Sequence, residues 1–192
     1  IVIDAKFVEQ IKEGQPESPE EKLSTLVKKY KIDKQNAEVL AKNIDVVEFF
    51  EKVADKIDAK FALPWVTIEL LRFLNYNKKK LDEVEMDAGH FAALLKMVKD
   101  GKITELQGKQ TLNKFYPKSF DPSKKVEGKI DDEGELKKFA EKAIAGNAKA
   151  VSDYKNGDAN ALNFLMGKIM EMTNKRADFR VAREILLKLL KN

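Results

Sequence analysis

The residues best suited to chemistry in this sequence are cations near its carboxyl end. From Ala161 to Asn192 there are seven Lys and Arg against three Asp and Glu, a net charge of +4. The whole chain also carries +4, so the preceding 160 residues sum to zero. Long cationic side chains concentrated in one short segment are suited to contacting the phosphates of a polyanion. The pattern therefore predicts that this segment binds nucleic acid.

Two predicted helices position these cations. Apolar residues recur at i, i+3, i+4 and i+7 along a first helix, a basic loop follows at residues 173–177, and Asp178 is predicted to cap a second helix. The apolar stripe of the first helix is Leu162, Leu165, Met166, Ile169, Met170 and Thr173, and that of the second is Phe179, Ala182, Ile185, Leu186 and Leu189.

An aromatic ring and a glycine lie opposite the first stripe. Phe164, Gly167 and Lys168 are spaced at i, i+3 and i+4, and a glycine on an outer face lets another backbone come close. The predicted RNA contacts are Phe164, Gly167, Lys168, Lys175, Arg176, Arg180 and Arg183. The alternative is a solvated basic face with one isolated exposed Phe, or with Phe164 covered by the rest of its domain.

The sequence around this segment resembles a known family. Asn147-Ala148-Lys149-Ala150-Val151-Ser152-Asp153-Tyr154, then Gly157, then Leu165-Met166-Gly167-Lys168-Ile169-Met170 is similar to the tail of the B subunit of the tRNA-dependent amidotransferase (GatB), a tail also found as the stand-alone YqeY protein. Upstream, Trp65-Val66-Thr67-Ile68-Glu69-Leu70 resembles the helical domain of the same subunit. The archaeal E subunit (GatE) has a similar tail and is an alternative. The family usually has Pro where Ala148 stands, yet Asn147 is still expected to cap its helix.

The resemblance implies a role in protein synthesis. The parent enzyme uses ATP, Mg and ammonia from its A subunit to amidate Glu or Asp on a mischarged tRNA. That chemistry belongs to an N-terminal domain outside this chain, so no cofactor and no catalytic residue are expected here. The expected partners are tRNA and, through the parent chain, the A and C subunits. A protein-interaction module that docks on a partner subunit is the alternative function.

Composition excludes several other classes of site. The chain has no Cys and a single His, His90, so thiolate and His-cluster metal sites are excluded. It lacks phosphate-binding and hydrolase motifs such as GxxxxGK[ST] and GxSxG. No apolar run approaches the ~20 residues that span a bilayer, so no membrane contact is expected. No secretory signal is visible, so a cytoplasmic location is expected. The sequence begins Ile1-Val2-Ile3 without Met, which is typical of a piece of a longer protein.

The fold class predicted from these patterns is all-α, a multi-helix domain followed by a small helical tail domain. The predicted divisions are residues 1–16 as the end of a preceding domain, 17–118 as the helical domain and 119–192 as the tail. Residues 120–130 are the predicted boundary, because they contain Pro, Gly and several Lys without periodicity. The acidic cluster 131–135 lacks the spacing of a calcium loop and is predicted to cap a helix.

Local signals predict the ends of individual helices. Pro64 is expected to open or kink the most apolar helix, in which Trp65 is predicted to be a core residue. Gly101 is expected to end a helix in the left-handed conformation. The predicted N-terminal caps are Ser18, Asp33, Asp45, Asp87 and Thr104.

Overall fold

The structure is a computed structural model and describes residues 19–191. The described residues form helices joined by turns, and their only extended pairing is two isolated bridges, so the all-α prediction is confirmed. Contacts divide the chain into two compact units, here called the N-terminal unit, up to Glu83, and the C-terminal unit, from Val84 onward. The division predicted near residue 118 stays a prediction. The predictions for residues 1–16 and for Ser18 lie outside the described residues.

The N-terminal unit has a core of aliphatic and aromatic side chains. Leu26, Leu40 and Phe50 are completely buried, and the rings of Tyr30 and Phe50 meet edge to face with centroids 5.2 Å apart. Its helices are α1 Pro19–Tyr30, α2 Lys34–Ala41, α3 Ile44–Ala54, α4 Ala59–Pro64 and α5 Leu71–Asn77, with a π-helical segment at Trp65–Leu70 and a 3₁₀ turn at Leu81–Glu83.

Pro64 changes the hydrogen-bond register of a helix that continues past it. It is the last residue of α4, and the π-helical segment Trp65–Leu70 follows directly. A proline lacks the N–H that an α-helix needs at this position, and a wider π turn accommodates that loss. The Thr67 hydroxyl donates to the Leu63 carbonyl at 2.9 Å. Trp65 is 5% exposed, so the prediction that it is a core residue is confirmed.

The C-terminal unit holds the predicted interface. Its helices are α6 Ala88–Lys99, α7 Glu105–Asn113, α8 Glu133–Ala145, α9 Ala148–Lys155, α10 Ala159–Met172 and α11 Phe179–Lys191, with a 3₁₀ turn at Pro122–Lys124. Helices α8, α10 and α11 share one hydrophobic core, in which Leu136, Leu165 and Leu186 are completely buried. The helices predicted around the basic loop are therefore confirmed, and α8 covers both of their apolar faces.

The prediction that Phe179 belongs to the buried apolar stripe of α11 is wrong. Phe179 is 53% exposed, whereas Leu190 is 4% exposed and belongs to the core. Phe179 lies on the same side of α11 as Leu186 and Leu190, but it is the first residue of the helix and precedes Ala182, where the buried row begins.

Most predicted caps are confirmed. The side chains of Asp33, Asp87 and Asp132 accept N–H groups in the first turns of their helices, and Thr104 forms a capping box with Gln107. Gly101 has a φ of 69°, as predicted for the residue that follows a helix in the left-handed conformation.

Two predicted caps are wrong. Asn43, not Asp45, caps α3, because its Oδ1 accepts the Asp45 N–H at 3.0 Å. Asn147 stands at the start of α9, but its side chain turns back and donates to the Ala143 carbonyl of α8 at 2.8 Å.

The segment predicted to be a domain boundary is bonded on both sides. We call residues 127–130 the connector. The Gln107 Nε2 donates to the Glu127 carbonyl at 3.1 Å, and the Lys129 N–H donates to the Lys102 carbonyl at 2.8 Å. The connector therefore joins the α6–α7 region to the three-helix core.

Asp178 fixes the start of α11. Its Oδ1 accepts the N–H groups of Arg180 at 3.0 Å and Val181 at 3.2 Å, and its Oδ2 lies 3.5 Å from the Lys129 ammonium. Burial opposes ionisation of this carboxyl, but the two N–H groups and the ammonium outweigh it, so the pKa of Asp178 is lowered.

Replacing Asp178 by Ala is expected to reduce the free energy of unfolding by about 1 kcal/mol at neutral pH, because two N–H groups lose their acceptor. A lowered folded-state pKa means that the carboxylate contributes stability above its unfolded-state pKa, and that this contribution is lost as pH falls through the folded-state pKa. The difference between wild type and Asp178→Ala in urea unfolding should therefore shrink between neutral pH and about pH 3.

Asp178→Asn is the matched control, since Asn caps a helix equally well but does not titrate. Its stability relative to Asp178→Ala should be independent of pH. A wild-type advantage over Asp178→Ala that stays constant from neutral pH to acid would contradict the assignment.

Candidate nucleic-acid interface

The outer face of α10 presents an aromatic ring beside a cation. Phe164 is 49% exposed, and the Lys168 ammonium lies 5.7 Å from the centroid of its ring. The same ammonium lies 3.0 Å from Oε2 of Glu171, which offsets part of its charge. Gly167 between them is exposed, and a Cβ placed on it would meet no atom within 4 Å. The predicted patch of Phe164, Gly167 and Lys168 is thus assembled on open surface.

The loop after α10 projects Lys175 into solvent. Asn174 and Lys175 both have positive φ, 50° and 62°, and the Lys175 N–H donates to the Met170 carbonyl at 2.6 Å. The Thr173 hydroxyl closes the preceding turn by donating to the Ile169 carbonyl at 2.8 Å. The Lys175 side chain is exposed and forms no ion pair with any residue from 19 to 191.

Arg176 is turned toward its own chain. Its Nε donates to the Gly128 carbonyl at 2.9 Å, and its guanidinium pairs with the Glu127 carboxylate. The Arg176 carbonyl accepts the Ile130 N–H at 2.8 Å. The RNA contact of Arg176 stays a prediction, but its guanidinium already holds the connector.

Helix α11 carries the remaining predicted cations. Arg180 and Arg183 are both exposed, and neither pairs with an acid within the part of the chain that the structure describes. Lys188 is exposed on the same helix, one turn after Glu184 and two turns after Arg180. Lys188 was not among the predicted contacts, and the structure adds it to the exposed cations of this helix.

A cleft lies between α7, the residues before the connector and the α10–α11 loop. Its volume is about 840 Å³. Lys114, Lys125 and Lys175 line it together with the Phe120 ring. Lys114 and Phe120 were not among the predicted contacts, because only the fold of the C-terminal unit brings them to the same cleft as Lys175.

A second recess adjoins Phe164. It has a volume of about 520 Å³ and lies between the start of α9 and the start of α10. Asp153 and Asp158 line it along with Lys149, so cations do not predominate there.

The single histidine has a partner within the C-terminal unit. The His90 Nδ1 lies 3.1 Å from the Ser119 hydroxyl. Between residues 19 and 191 no group of three or more His, Asp or Glu could hold a metal ion. Over the same span, no helix combines the length and apolar character needed to cross a membrane.

Comparison with known proteins gives the family. The profile of the GatB domain (GatB_Yqey) matches residues 48–190. The chain is 38% identical over 198 residues to the B subunit of the aspartyl/glutamyl-tRNA(Asn/Gln) amidotransferase of Methanocaldococcus jannaschii, with 97% of the chain and 42% of that protein covered. It is 32% identical to the protein of the same name from Clostridium beijerinckii, with 99% of the chain and 41% of that protein covered. The chain is 31% identical to the protein of the same name from Thermotoga maritima, with 99% of the chain and 40% of that protein covered.

The matched relatives are longer than this chain, which spans about two fifths of their length. The resemblance found in the tail and in the Trp65 helix is confirmed, because the family profile includes both segments. On the extent of the match, the chain belongs to the GatB family.

Proposed function

We propose that this chain binds tRNA and positions Glu-tRNA(Gln) or Asp-tRNA(Asn) for ATP-dependent transamidation by a catalytic domain outside the chain. The name shared by its relatives, which are B subunits of an aspartyl/glutamyl-tRNA(Asn/Gln) amidotransferase, supports the substrate class. In the parent enzyme the A and C subunits are the expected partners, and the cytoplasm is the expected location. The chain itself supplies affinity and orientation.

The observation that carries this proposal is the exposure of cations without acidic partners. Lys175, Arg180 and Arg183 are exposed and form no ion pair with a described residue. An RNA phosphate can therefore bind each of them without displacing an internal carboxylate. Phosphate contacts of this kind supply most of the sequence-independent affinity of RNA-binding proteins.

The scaffold beneath these cations is suited to recognising a folded RNA. The Asp178 cap and the shared core fix α11 against α8 and α10, so Arg180 and Arg183 stand at a fixed spacing on a helix. Folded RNA is distinguished largely by shape, which requires such a rigid platform. The exposed Phe164 ring adds a surface on which an unpaired base or a ribose can pack.

ATP and Mg belong to the parent enzyme in this proposal. The chemical steps that use them are proposed to take place in the catalytic domain outside this chain.

Replacing Lys175, Arg180 and Arg183 together by Ala is expected to weaken tRNA binding about 10-fold or more. It should also reduce the salt dependence, because each phosphate contact contributes about one unit to the slope of the logarithm of the binding constant against the logarithm of the salt concentration. Filter binding with deacylated tRNA at low and moderate salt measures both quantities. Arg176 is left unchanged because its guanidinium holds the connector.

The matched control removes three exposed lysines from elsewhere, Lys56, Lys60 and Lys138. This control variant has the same net charge as the test variant. It should bind tRNA within about twofold of wild type, because none of its three lysines belongs to the proposed contacts. Equal affinity of the two variants would rule out the α10–α11 surface as the binding surface.

Docking on a protein partner is the second candidate, favoured by the exposure of Phe164 and Phe179, 49% and 53%. Apolar rings in contact with solvent are typical of binding surfaces of either kind. RNA binding and protein docking predict different effects of removing the Phe164 ring.

Changing Phe164 to Ala should weaken tRNA binding about five- to tenfold if the ring stacks on RNA, since loss of one stacking contact has an effect of this size. The affinity for purified A subunit should then be unchanged. The fold should survive because half of the ring is already exposed, and circular dichroism checks this. Loss of affinity for the A subunit, with unaltered tRNA affinity, would instead support the protein-docking function.

A further inference from the structure

The cleft beside the α10–α11 loop has an excess of unpaired positive charge. Two carboxylates line it, and each is already paired, Glu171 with Lys168 at 3.0 Å and Glu127 with Arg176. Lys114, Lys125 and Lys175 also line the cleft, and none of the three pairs with an acid in the described chain. The wall therefore favours an anionic ligand.

An aromatic ring stands among these cations. The Phe120 ring is half-buried and packs edge to face on the buried Phe115, with centroids 5.1 Å apart. The Lys125 ammonium lies 4.9 Å from the centroid of the Phe120 ring. A supported ring with ammonium groups beside it offers a flat apolar surface next to charge, which matches a nucleobase attached to a phosphate.

Amide side chains complete the wall. Gln110, Asn113 and Asn174 line the cleft and carry both donors and acceptors. The cleft volume of about 840 Å³ lies within the usual range for a pocket that holds one small ligand.

Side-chain hydrogen bonds to the connector backbone fix one wall of the cleft. Its connector wall is fixed from α7 by the Gln107 bond to Glu127 and from the loop by the Arg176 bond to Gly128, at 3.1 Å and 2.9 Å. A preformed site avoids the entropy loss of ordering loops on binding.

We propose that this cleft holds one unpaired nucleotide of a bound RNA, with the base against Phe120 and the flanking phosphates on Lys114, Lys125 and Lys175. The inference rests on the proposed RNA-binding function and adds a second contact beside the outer face of α10 and α11, with Lys175 common to both. A base in a duplex is stacked on both sides, so only an unstacked base can use the Phe120 ring. Lys125 is exposed, and its ammonium moves from the ring to the phosphate as the base enters.

The test compares variants of the cleft with variants of the outer face. An oligouridylate of about eight nucleotides, labelled with a fluorophore, is the single-stranded probe, and deacylated tRNA is the folded one. The double variant Lys114→Ala/Lys125→Ala should bind oligouridylate about tenfold more weakly than wild type, because it loses two phosphate contacts. The matched control Lys96→Ala/Lys138→Ala removes two exposed lysines outside the cleft and should stay within about twofold of wild type.

The aromatic contact is tested separately from the charge. Phe120→Leu keeps an apolar side chain on Phe115 and should weaken oligouridylate binding about fivefold or more, with the salt dependence unchanged, since stacking is not electrostatic. Phe120→Trp should bind, and its added fluorescence should be quenched by oligouridylate but not by duplex RNA. Thermal unfolding of every variant confirms that the fold is intact.

The possible results separate the two proposals. If the cleft variants bind both probes as wild type does, while the Lys175, Arg180 and Arg183 variant loses tRNA, the cleft proposal is wrong and the proposed function stands. If wild type binds neither probe even at low salt, both are wrong. An acidic peptide that displaces oligouridylate equally well and quenches Phe120→Trp to the same extent would also overturn the nucleotide assignment, in favour of a protein ligand.

Discussion

The C-terminal unit depends on the bonds that Arg176 makes to the connector. Its guanidinium reaches Glu127 and the Gly128 carbonyl, and its own carbonyl accepts the Ile130 N–H. The Asp178 N–H then donates to the Ile130 carbonyl at 2.8 Å. These bonds tie the loop that ends α10 to the segment that leads into α8. Without them the basic loop would have no fixed position relative to α7, and the cleft between them would lose a wall.

The distribution of charge follows from this arrangement. Three carboxylates near the loop are paired within the chain. Glu127 pairs with Arg176, Glu171 pairs with Lys168, and Asp178 pairs with Lys129. The cations left over are those that face solvent. The pairing of these three carboxylates leaves an excess of positive charge around the loop and a positive field there, although the chain as a whole carries only +4 on 192 residues. Such a field raises the association rate with a polyanion and falls off with added salt.

Much of the fold could be predicted from periodicity and caps. The apolar stripe of α10, the caps at Asp33, Asp87, Asp132 and Asp178, and the Thr104 capping box depend on residues close in sequence, so the sequence is sufficient. The errors at Asn43, Asn147 and Phe179 have a common origin. In each case a local rule allowed more than one outcome: two neighbouring residues could cap α3, the Asn147 side chain had two possible partners, and the first residue of α11 could lie inside or outside the core.

The candidate site was only partly predictable for the same reason. Phe164, Gly167 and Lys168 share a helix face by spacing alone, so their adjacency could be anticipated. The approach of Lys114 and Phe120 to Lys175 depends on contacts more than fifty residues apart in sequence and has no local signal. The engagement of Arg176 by the connector is equally non-local.

Gly167 gives the outer face of α10 a further property. A glycine inside a helix is less favourable than alanine by about 1 kcal/mol, and nothing in the described chain would collide with an added methyl group there. The C-terminal unit is therefore expected to be more stable with alanine at position 167. The middle turn of α10 is thus less stable than alanine would make it, and the same glycine leaves the helix backbone at residue 167 uncovered by any side chain of its own.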